Sequence, residues 1–389
     1  MRATGKVAKR TVAGEAIATF VPYPLPPRDP PLSLDGELAT TLARAEHALA
    51  RLEVAGEMVP SLDLFIYAFV RKEAVISSQI EGTQATLIDL LEFEAEQPTR
   101  VAVEDVHEVC NYLDAIKYAR SQIMGSRGLP ISIRLLNEAH RRLMRGVRGA
   151  NKQPGEIRRT QNWIGGTRPG NAVFVPAPPE ELPALLADLE NYLHAKGGLP
   201  PLVRIGLAHV QFETIHPYLD GNGRIGRLLV TLLLEHWKLL SSPLLYLSLF
   251  FKRHRAEYYR LLGEVRRTGD WEAWMGFFLE GVETTAEEAV IAAREVFALV
   301  SEDRRRLLVA PGASVMAVRL LDQLPTHPVV TIPTVVKLLK TTKPTAGKAV
   351  HLLEDLGVLT ETTGKQRDRT FAYAGYLDKL RVETEVDAG

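Results

Sequence analysis

The chain has 389 residues, which is too long for one typical hydrophobic core and predicts two or three domains. Lys plus Arg and Asp plus Glu both total 47, so overall charge gives no support for a nucleic-acid-binding or membrane-binding protein. The single cysteine, Cys110, excludes an internal disulfide framework and fits a reducing cytosol. No apolar run approaches the ~20 residues of a membrane span. These features predict a cytoplasmic protein without a membrane partner.

The N-terminal third combines a proline-rich arm with helical patterns. Phe20–Leu32 contains six prolines and predicts an extended segment rather than a helix. Apolar residues then recur at three and four positions in Leu38–Leu49 and Leu64–Val75, which predicts two helices. Two more helices are predicted at about Glu104–Ser121 and Ser132–Met144, and Ser132 is suited to cap the second of them.

The segment between Gln161 and Pro176 does not have a helical pattern. Two short apolar pieces flank the turn sequence Thr167–Asn171, a pattern typical of a β-hairpin. Helical patterns resume at Pro179–Ala195 and at Leu202–Ile215. The second of these helices leads directly into the most informative stretch of the chain.

That stretch runs from His216 to Arg227 and reads His-Pro-Tyr-Leu-Asp-Gly-Asn-Gly-Arg-Ile-Gly-Arg. Gly-Asn-Gly lets successive backbone N–H groups form an anion-binding nest, and the apolar run after it predicts a helix whose positive N-terminus faces the same place. Arg224 and Arg227 are three residues apart, so both guanidinium groups can reach one polyanion. Asp220 is suited to a hard cation such as Mg²⁺, and His216 to taking a proton from a hydroxyl. This combination predicts phosphate-ester chemistry.

The C-terminal part, assigned to residues 300–389, has its own pattern. Three helical stretches between Met316 and Gly357 are followed by two short strands around Gly364, an order typical of a winged-helix domain. Thr331–Tyr373 contains seven Lys or Arg residues and four Asp or Glu residues. This balance is weak for a DNA reader, so DNA and protein both stay open as partners of the tail.

The His216–Arg227 stretch resembles the signature of the Fic family, His-Pro-(Phe/Tyr)-x-(Asp/Glu)-Gly-Asn-Gly-Arg-x-x-Arg, and matches it at every position. The resemblance implies a mainly α-helical Fic-fold core with a β-hairpin flap at residues 101–285, after an N-terminal arm and inhibitory-helix region at residues 1–100. Most family members transfer AMP from ATP to a hydroxyl side chain of a protein. The resemblance therefore implies ATP and Mg²⁺, with a protein Ser, Thr or Tyr hydroxyl as acceptor, the chain itself included. A homodimer stays open.

The resemblance also implies roles for individual residues. His216 is expected to act as general base and Asp220 to bind Mg²⁺. Arg224 is expected at the α- and β-phosphates and Arg227 at the γ-phosphate. The residues implied in ATP and phosphate binding are Gly221, Asn222, Gly223, Arg224, Gly226, Arg227, Tyr258 and Tyr259. The residues implied in the flap are Ile164, Gly165 and Val175.

A second motif precedes the signature. Ser77 to Gly82 fits the pattern (Ser/Thr)-x-x-x-Glu-(Gly/Asn), and Ser77 and Glu81 share one helix face. It resembles the inhibitory helix of Fic proteins, in which the glutamate pairs with the arginine that matches Arg227 and blocks the γ-phosphate. The sequence thus predicts an autoinhibited adenylyltransferase. Removal of AMP by a water that Glu81 orients, and a DNA-binding regulator with a nucleotide-sensing Fic core, stay open as alternatives.

Overall fold

The computed structural model describes residues 2–12, 14–58, 62–95, 101–125, 128–365 and 367–385, and it begins with a β-hairpin. Strands β1 (Gly5–Val12) and β2 (Glu15–Pro22) pair antiparallel with Val12 opposite Glu15. The turn between them includes Gly14 at φ 81°, a conformation that glycine adopts without a Cβ penalty. This hairpin was not predicted, and it includes the first residues of the proline-rich arm.

The N-terminal helices follow the predicted periodicity, with one addition. Thr86 and Asp89 form a capping box that starts an unpredicted short helix, since each side chain accepts a hydrogen bond from the other residue's backbone N–H. The predicted cap at Ser132 is confirmed, because its hydroxyl accepts from the Leu135 N–H. The helices of this part are α1 (Gly36–Met58), α2 (Leu62–Ile80), α3 (Leu87–Glu94), α4 (Val103–Ile123) and α5 (Ile133–Leu143).

Two buried helices form the centre of the molecule. They are α7 (Pro201–Ile215) and α8 (Asn222–His236), and almost every residue of both is buried. A helix that is buried on all sides needs neighbours around it, and other helices cover these two. Those before and after them are α6 (Leu182–His194), α9 (Ser248–Arg253) and α10 (Arg255–Thr268).

A single long helix, α11, runs from Trp271 to Val309 and packs along α1. Its 39 residues correspond to a length of roughly 58 Å at 1.5 Å per residue. The expected bounds, a catalytic core ending at 285 and a tail beginning at 300, stay predictions. The chain has no linker there, since α11 continues through both positions.

The tail has the helix order that the sequence predicts, with two additions. Its predicted helices are α12 (Val315–Gln323), α13 (Ile332–Leu339) and α14 (Lys343–Asp355). An unpredicted strand, β3 (Val329–Thr331), joins β4 (Thr360–Glu361) and β5 (Thr370–Ala372) in the sheet order β3-β5-β4, and an unpredicted helix, α15 (Ala374–Leu380), follows. The winged-helix assignment and its partner stay predictions. Among the described residues, no helix is both long and apolar enough to cross a bilayer.

Candidate functional site

The loop between α7 and α8 carries the signature. Helix α7 ends with His216 in the left-handed conformation, φ 52°, and α8 begins after Gly221 at φ 76°. These two turns bring the ends of both helices to one loop. The first N–H groups of α8 have no acceptor within the helix, which suits this end to an anion.

Asn222 shapes the loop through its side chain. Its Oδ1 accepts from the Tyr218 N–H at 2.9 Å, and its Nδ2 donates to the Tyr218 carbonyl at 2.9 Å. Tyr218 in turn stacks on His140, with 3.9 Å between ring centroids. The amide of Asn222 is therefore engaged by the loop, and its backbone N–H stays the predicted contact with phosphate.

His216 is partly buried beside this loop, and burial, assisted by the positive charges of Arg266 and Arg158, lowers its pKa to about 3. With this pKa the imidazole is neutral at pH 7. Its Nδ1 lies 3.4 Å from the Glu213 carbonyl oxygen, the geometry of a weak donated hydrogen bond. In that tautomer Nε2 is the proton acceptor.

Arg227 is almost fully buried and is held by the helix that carries the second motif. Its Nε donates to the Ser77 hydroxyl at 2.9 Å, and its Nη2 donates to the Ser77 carbonyl at 2.8 Å and to Glu81 Oε1 at 2.7 Å. The Glu81 side chain is 31% exposed, so this carboxylate faces the open side of the site. Burial alone would raise the pKa of Glu81, but Arg227 outweighs it and holds the pKa below its usual range.

Gly223 makes the approach of Glu81 possible. A Cβ built at Gly223 would lie 2.2 Å from Glu81 Oε1 and 2.9 Å from Arg227 Nη1, so a side chain there would force the ends of both side chains to move. Gly226, in contrast, faces α7, where a Cβ would lie 2.2 Å from Glu213 Oε1. Its missing side chain lets the two central helices pack closely, and its role in phosphate binding stays a prediction.

Arg224 has a carboxylate partner that the sequence did not reveal. Glu108, from α4, is 1% exposed and lies 3.5 Å from Arg224 Nη1. Its Oε2 also accepts from the Thr83 hydroxyl at 2.6 Å, and Arg148 lies 3.4 Å from its Oε1. Asp220 is 3.8 Å from Arg224 Nη2 and its side chain is 43% exposed. Glu108 therefore lies behind Arg224, whereas Asp220 lies on the open side.

The expected flap is only partly a hairpin. Ile164 and Phe174 form one antiparallel bridge, and a 3₁₀ turn at Pro169–Asn171 replaces regular strands. The Val175 carbonyl accepts from the Phe20 N–H of β2 at 3.0 Å. At Val175 the edge of this segment is therefore already paired with β2. Gly165 lies at the turn with φ 66°.

The two tyrosines after the signature have different environments. Tyr258 is 1% exposed and its hydroxyl lies 2.9 Å from His209 Nε2, in the core. The expected contact of Tyr258 with ATP stays a prediction. Tyr259 is 44% exposed and stays the candidate of the pair for a nucleotide contact.

Arg158 is a second residue that the sequence did not single out. It is 1% exposed, and its Nε donates to the His216 carbonyl at 2.9 Å while its Nη2 donates to the Ala177 carbonyl. It therefore joins the catalytic loop to the end of the flap segment. An arginine in a run of polar residues gives no periodic signal, so only the folded chain identifies it.

The part of the chain that carries this site is similar in sequence to known proteins. Residues 39–121 match the family model described as Fic/DOC family N-terminal, and residues 130–234 match the model described as Fic/DOC family. Protein adenylyltransferase Fic of Drosophila grimshawi is 30% identical over 213 residues, 53% of this chain and 40% of that protein. The protein of the same description in Culex quinquefasciatus is 29% identical over 222 residues, 55% of this chain and 41% of that protein. The chain thus spans about two fifths of the length of these curated relatives.

Solved structures show the same fold. A Fic family protein from Desulfovibrio desulfuricans G20 aligns with a TM-score of 0.57 at 21% identity and covers 88% of this chain and 97% of its own. Fic-1 from C. elegans aligns with a TM-score of 0.53 at 22% identity over 66% of this chain and 72% of its own. The predicted mainly α-helical Fic fold is thereby confirmed. Residues 39–121 and 130–234 of this chain therefore form Fic/DOC family domains.

Proposed function

We propose that this chain is an autoinhibited protein adenylyltransferase that transfers AMP from ATP to a Ser, Thr or Tyr hydroxyl of a protein. One observation carries the proposal: the partly exposed Glu81 carboxylate pairs at 2.7 Å with the buried Arg227, which lies on α8 one turn from Arg224 and shares the signature loop with His216. A polyanion that takes its place meets two guanidinium groups and a proton acceptor. The relatives described as Protein adenylyltransferase Fic support the same reaction.

The proposed transfer is a displacement at the α-phosphorus. The acceptor oxygen attacks the α-phosphorus. The bond between the α-phosphorus and the oxygen that bridges to the β-phosphate breaks, and pyrophosphate leaves. His216 Nε2 takes the hydroxyl proton. The N–H groups at the start of α8 and the two arginines stabilise the charge of the phosphates, so positioning and electrostatics do most of the catalysis.

Asp220 fits the expected role in holding Mg²⁺. Mg²⁺ is usually bound by one or two carboxylates together with substrate phosphates, and Asp220 offers a partly exposed carboxylate on the open side of the loop. The Asp220 Oδ1 accepts from the Gly221 N–H at 2.6 Å, which fixes the carboxylate beside the nest. Bound there, Mg²⁺ would neutralise charge on the leaving pyrophosphate.

Autoinhibition follows from the position of Glu81. Its carboxylate accepts a hydrogen bond from the Arg227 guanidinium, the group that is proposed to bind the γ-phosphate. Its negative charge also repels the incoming polyanion. Both effects disfavour the productive ATP pose more than they disfavour ATP binding as such. The wild-type chain is therefore proposed to be slow, and the other variants are best measured in the Glu81→Gly background.

Label position tests what is transferred. Glu81→Gly incubated with acceptor proteins and ATP should incorporate label from the α-phosphorus and none from the γ-phosphorus, because the nest is proposed to hold the α-phosphate. Incorporation is measured on protein bands after electrophoresis. Transfer of the γ-label alone would mean a kinase and contradict the proposal. Release of AMP from modified protein by wild type, but not by Glu81→Gly, would support the removal reaction.

Glu108→Gln tests whether Arg224 needs its buried partner. The amide keeps the shape and the contact with Thr83 but loses the charge that orients the guanidinium, so kcat/KM for ATP should fall about tenfold. The matched control is Glu104→Gln, an exposed position one turn earlier on α4, which should leave kcat/KM unchanged. Equal values for the two variants would show that Glu108 is ordinary scaffold.

A further inference from the structure

The C-terminal end of the described chain contacts the helix that carries the inhibitory motif. The C-terminal brace, defined here as residues Arg381–Glu385, follows α15 and lies against the last turn of α2. Gln79, inside the motif, donates through Nε2 to the Thr384 carbonyl at 2.8 Å and to the Ala85 carbonyl at 3.0 Å. Thr384 is fully buried although it is five residues from the end of the chain.

Two basic residues of α9 complete the contact. Lys252 Nζ donates to Gln79 Oε1 at 3.0 Å and to the Glu385 carbonyl at 2.8 Å, so one ammonium joins the motif to the brace. Arg253 pairs with Glu383 and also with Glu288 of α11 at 2.6 Å. The brace is thus fixed by a network of charged and amide groups, and both ends of the Gln79 amide are used.

We propose that the C-terminal brace holds the last turn of α2 in place, and thereby keeps Glu81 on Arg227. This inference rests on the proposed function. Glu81 lies just beyond Ile80, where α2 ends, and the final carbonyl groups of a helix have no partners within it. The end of a helix is where local opening costs least, so the contacts of Gln79 decide how firmly the motif is held.

The brace makes inhibition depend on the tail. Helix α15 packs on α11, and the Lys379 ammonium pairs with Glu295 at 2.8 Å. Because the brace directly follows α15, the position of this tail helix determines the position of the brace. Movement of α15 would withdraw the Thr384 and Glu385 carbonyls from Gln79 and Lys252. The last turn of α2 would then open more often, and Arg227 would become available to ATP.

The test uses the full chain with Glu383→Arg, which places a positive charge against Arg253 and detaches the brace without touching any site residue. The rate of α-label transfer should rise about 3- to 10-fold, less than in Glu81→Gly because the Glu81–Arg227 pair itself remains. In the Glu81→Gly background the same change should have no effect. Glu302→Arg is the control, because it makes the same charge reversal at an exposed position of α11 whose ion pair is with Arg305 of the same helix. It should leave the rate unchanged in both backgrounds.

A second measurement is independent of activity. The N–H groups of Glu81, Gly82 and Thr83 donate to carbonyls of Ser78 and Gln79, so their hydrogen exchange reports opening of this turn. Exchange should be faster in Glu383→Arg than in wild type and in Glu302→Arg. Unchanged hydrogen exchange in Glu383→Arg would contradict the proposed role of the brace, even if Glu81→Gly is active. Faster exchange with no α-label transfer in any variant would instead overturn the proposed function.

Discussion

His216→Ala, made in the Glu81→Gly background, is expected to lower AMP transfer by about 10²- to 10⁴-fold, the usual contribution of a positioned general base. ATP affinity should stay within a few fold, because the imidazole acts on the acceptor hydroxyl and not on the nucleotide. Initial rates of α-label transfer measure the first quantity, and calorimetric titration of ATP measures the second. A matched control is His47→Ala, an exposed histidine on α1, which should change neither. Near-normal transfer by His216→Ala would show that another group takes the proton.

The low pKa of His216 gives a pH test of the same residue. Since burial lowers this pKa to about 3, the neutral imidazole that can accept a proton is the dominant form at every pH above about 4. In histidine-selective NMR spectra of the free protein, the resonance lost in His216→Ala should therefore not titrate between pH 5 and 8. A titration with a midpoint near 6.5 would show that this imidazole is not held as the structure describes.

Glu81→Gly is expected to raise the initial rate of α-label transfer by roughly 10- to 150-fold. This range corresponds to the ~1.5–3 kcal/mol of one charge-assisted hydrogen bond, released when Arg227 no longer pairs with Glu81. Helix α2 ends at Ile80, so a glycine at position 81 does not weaken the helix interior. Glu81→Gln should activate partially, since the amide keeps the shape and loses the charge.

Substitution of Arg227 tests whether Glu81→Gly activates the protein for the proposed reason. The double variant Glu81→Gly with Arg227→Ala should be as inactive as Arg227→Ala alone, because a freed arginine is what the γ-phosphate needs. Unequal rates in these two variants, or an unchanged rate in Glu81→Gly, would contradict autoinhibition through this pair. Thermal melting of each variant separates loss of folding from loss of activity.

Local patterns in the sequence predicted much of the fold and most of the site. The signature is contiguous, so its residues share one loop in any fold that keeps it, and the helix periods locate α1, α2, α4, α5, α6 and α7. The pairing of Ser77 and Glu81 with Arg227 is different, because it joins residues 150 and 146 positions apart. Only the resemblance to a family made that contact an expectation.

Other features could not be predicted because they depend on tertiary contacts. Glu108 and Arg158 are single charged residues on separate elements, and their roles become visible only where the chain brings them to Arg224 and to the His216 carbonyl. The flap segment is limited to one bridge because β2 already occupies its edge at Val175. Tyr258 faces the core because its hydroxyl meets His209. In each case a residue far away in the sequence determines the environment of the side chain or segment, and a local pattern carries no information about that residue.

Under the proposed function, Gly223 and Arg227 constrain how inhibition could be lost over many generations. A Cβ at Gly223 would lie 2.2 Å from Glu81 Oε1 and 2.9 Å from Arg227 Nη1, so a side chain there would displace the arginine together with the glutamate. Arg227 is proposed to bind the glutamate and the nucleotide in turn, so its loss would remove both contacts. Mutations that release the proposed enzyme while keeping it active are therefore expected at residues 77–82 and at the groups that hold them, rather than in the signature.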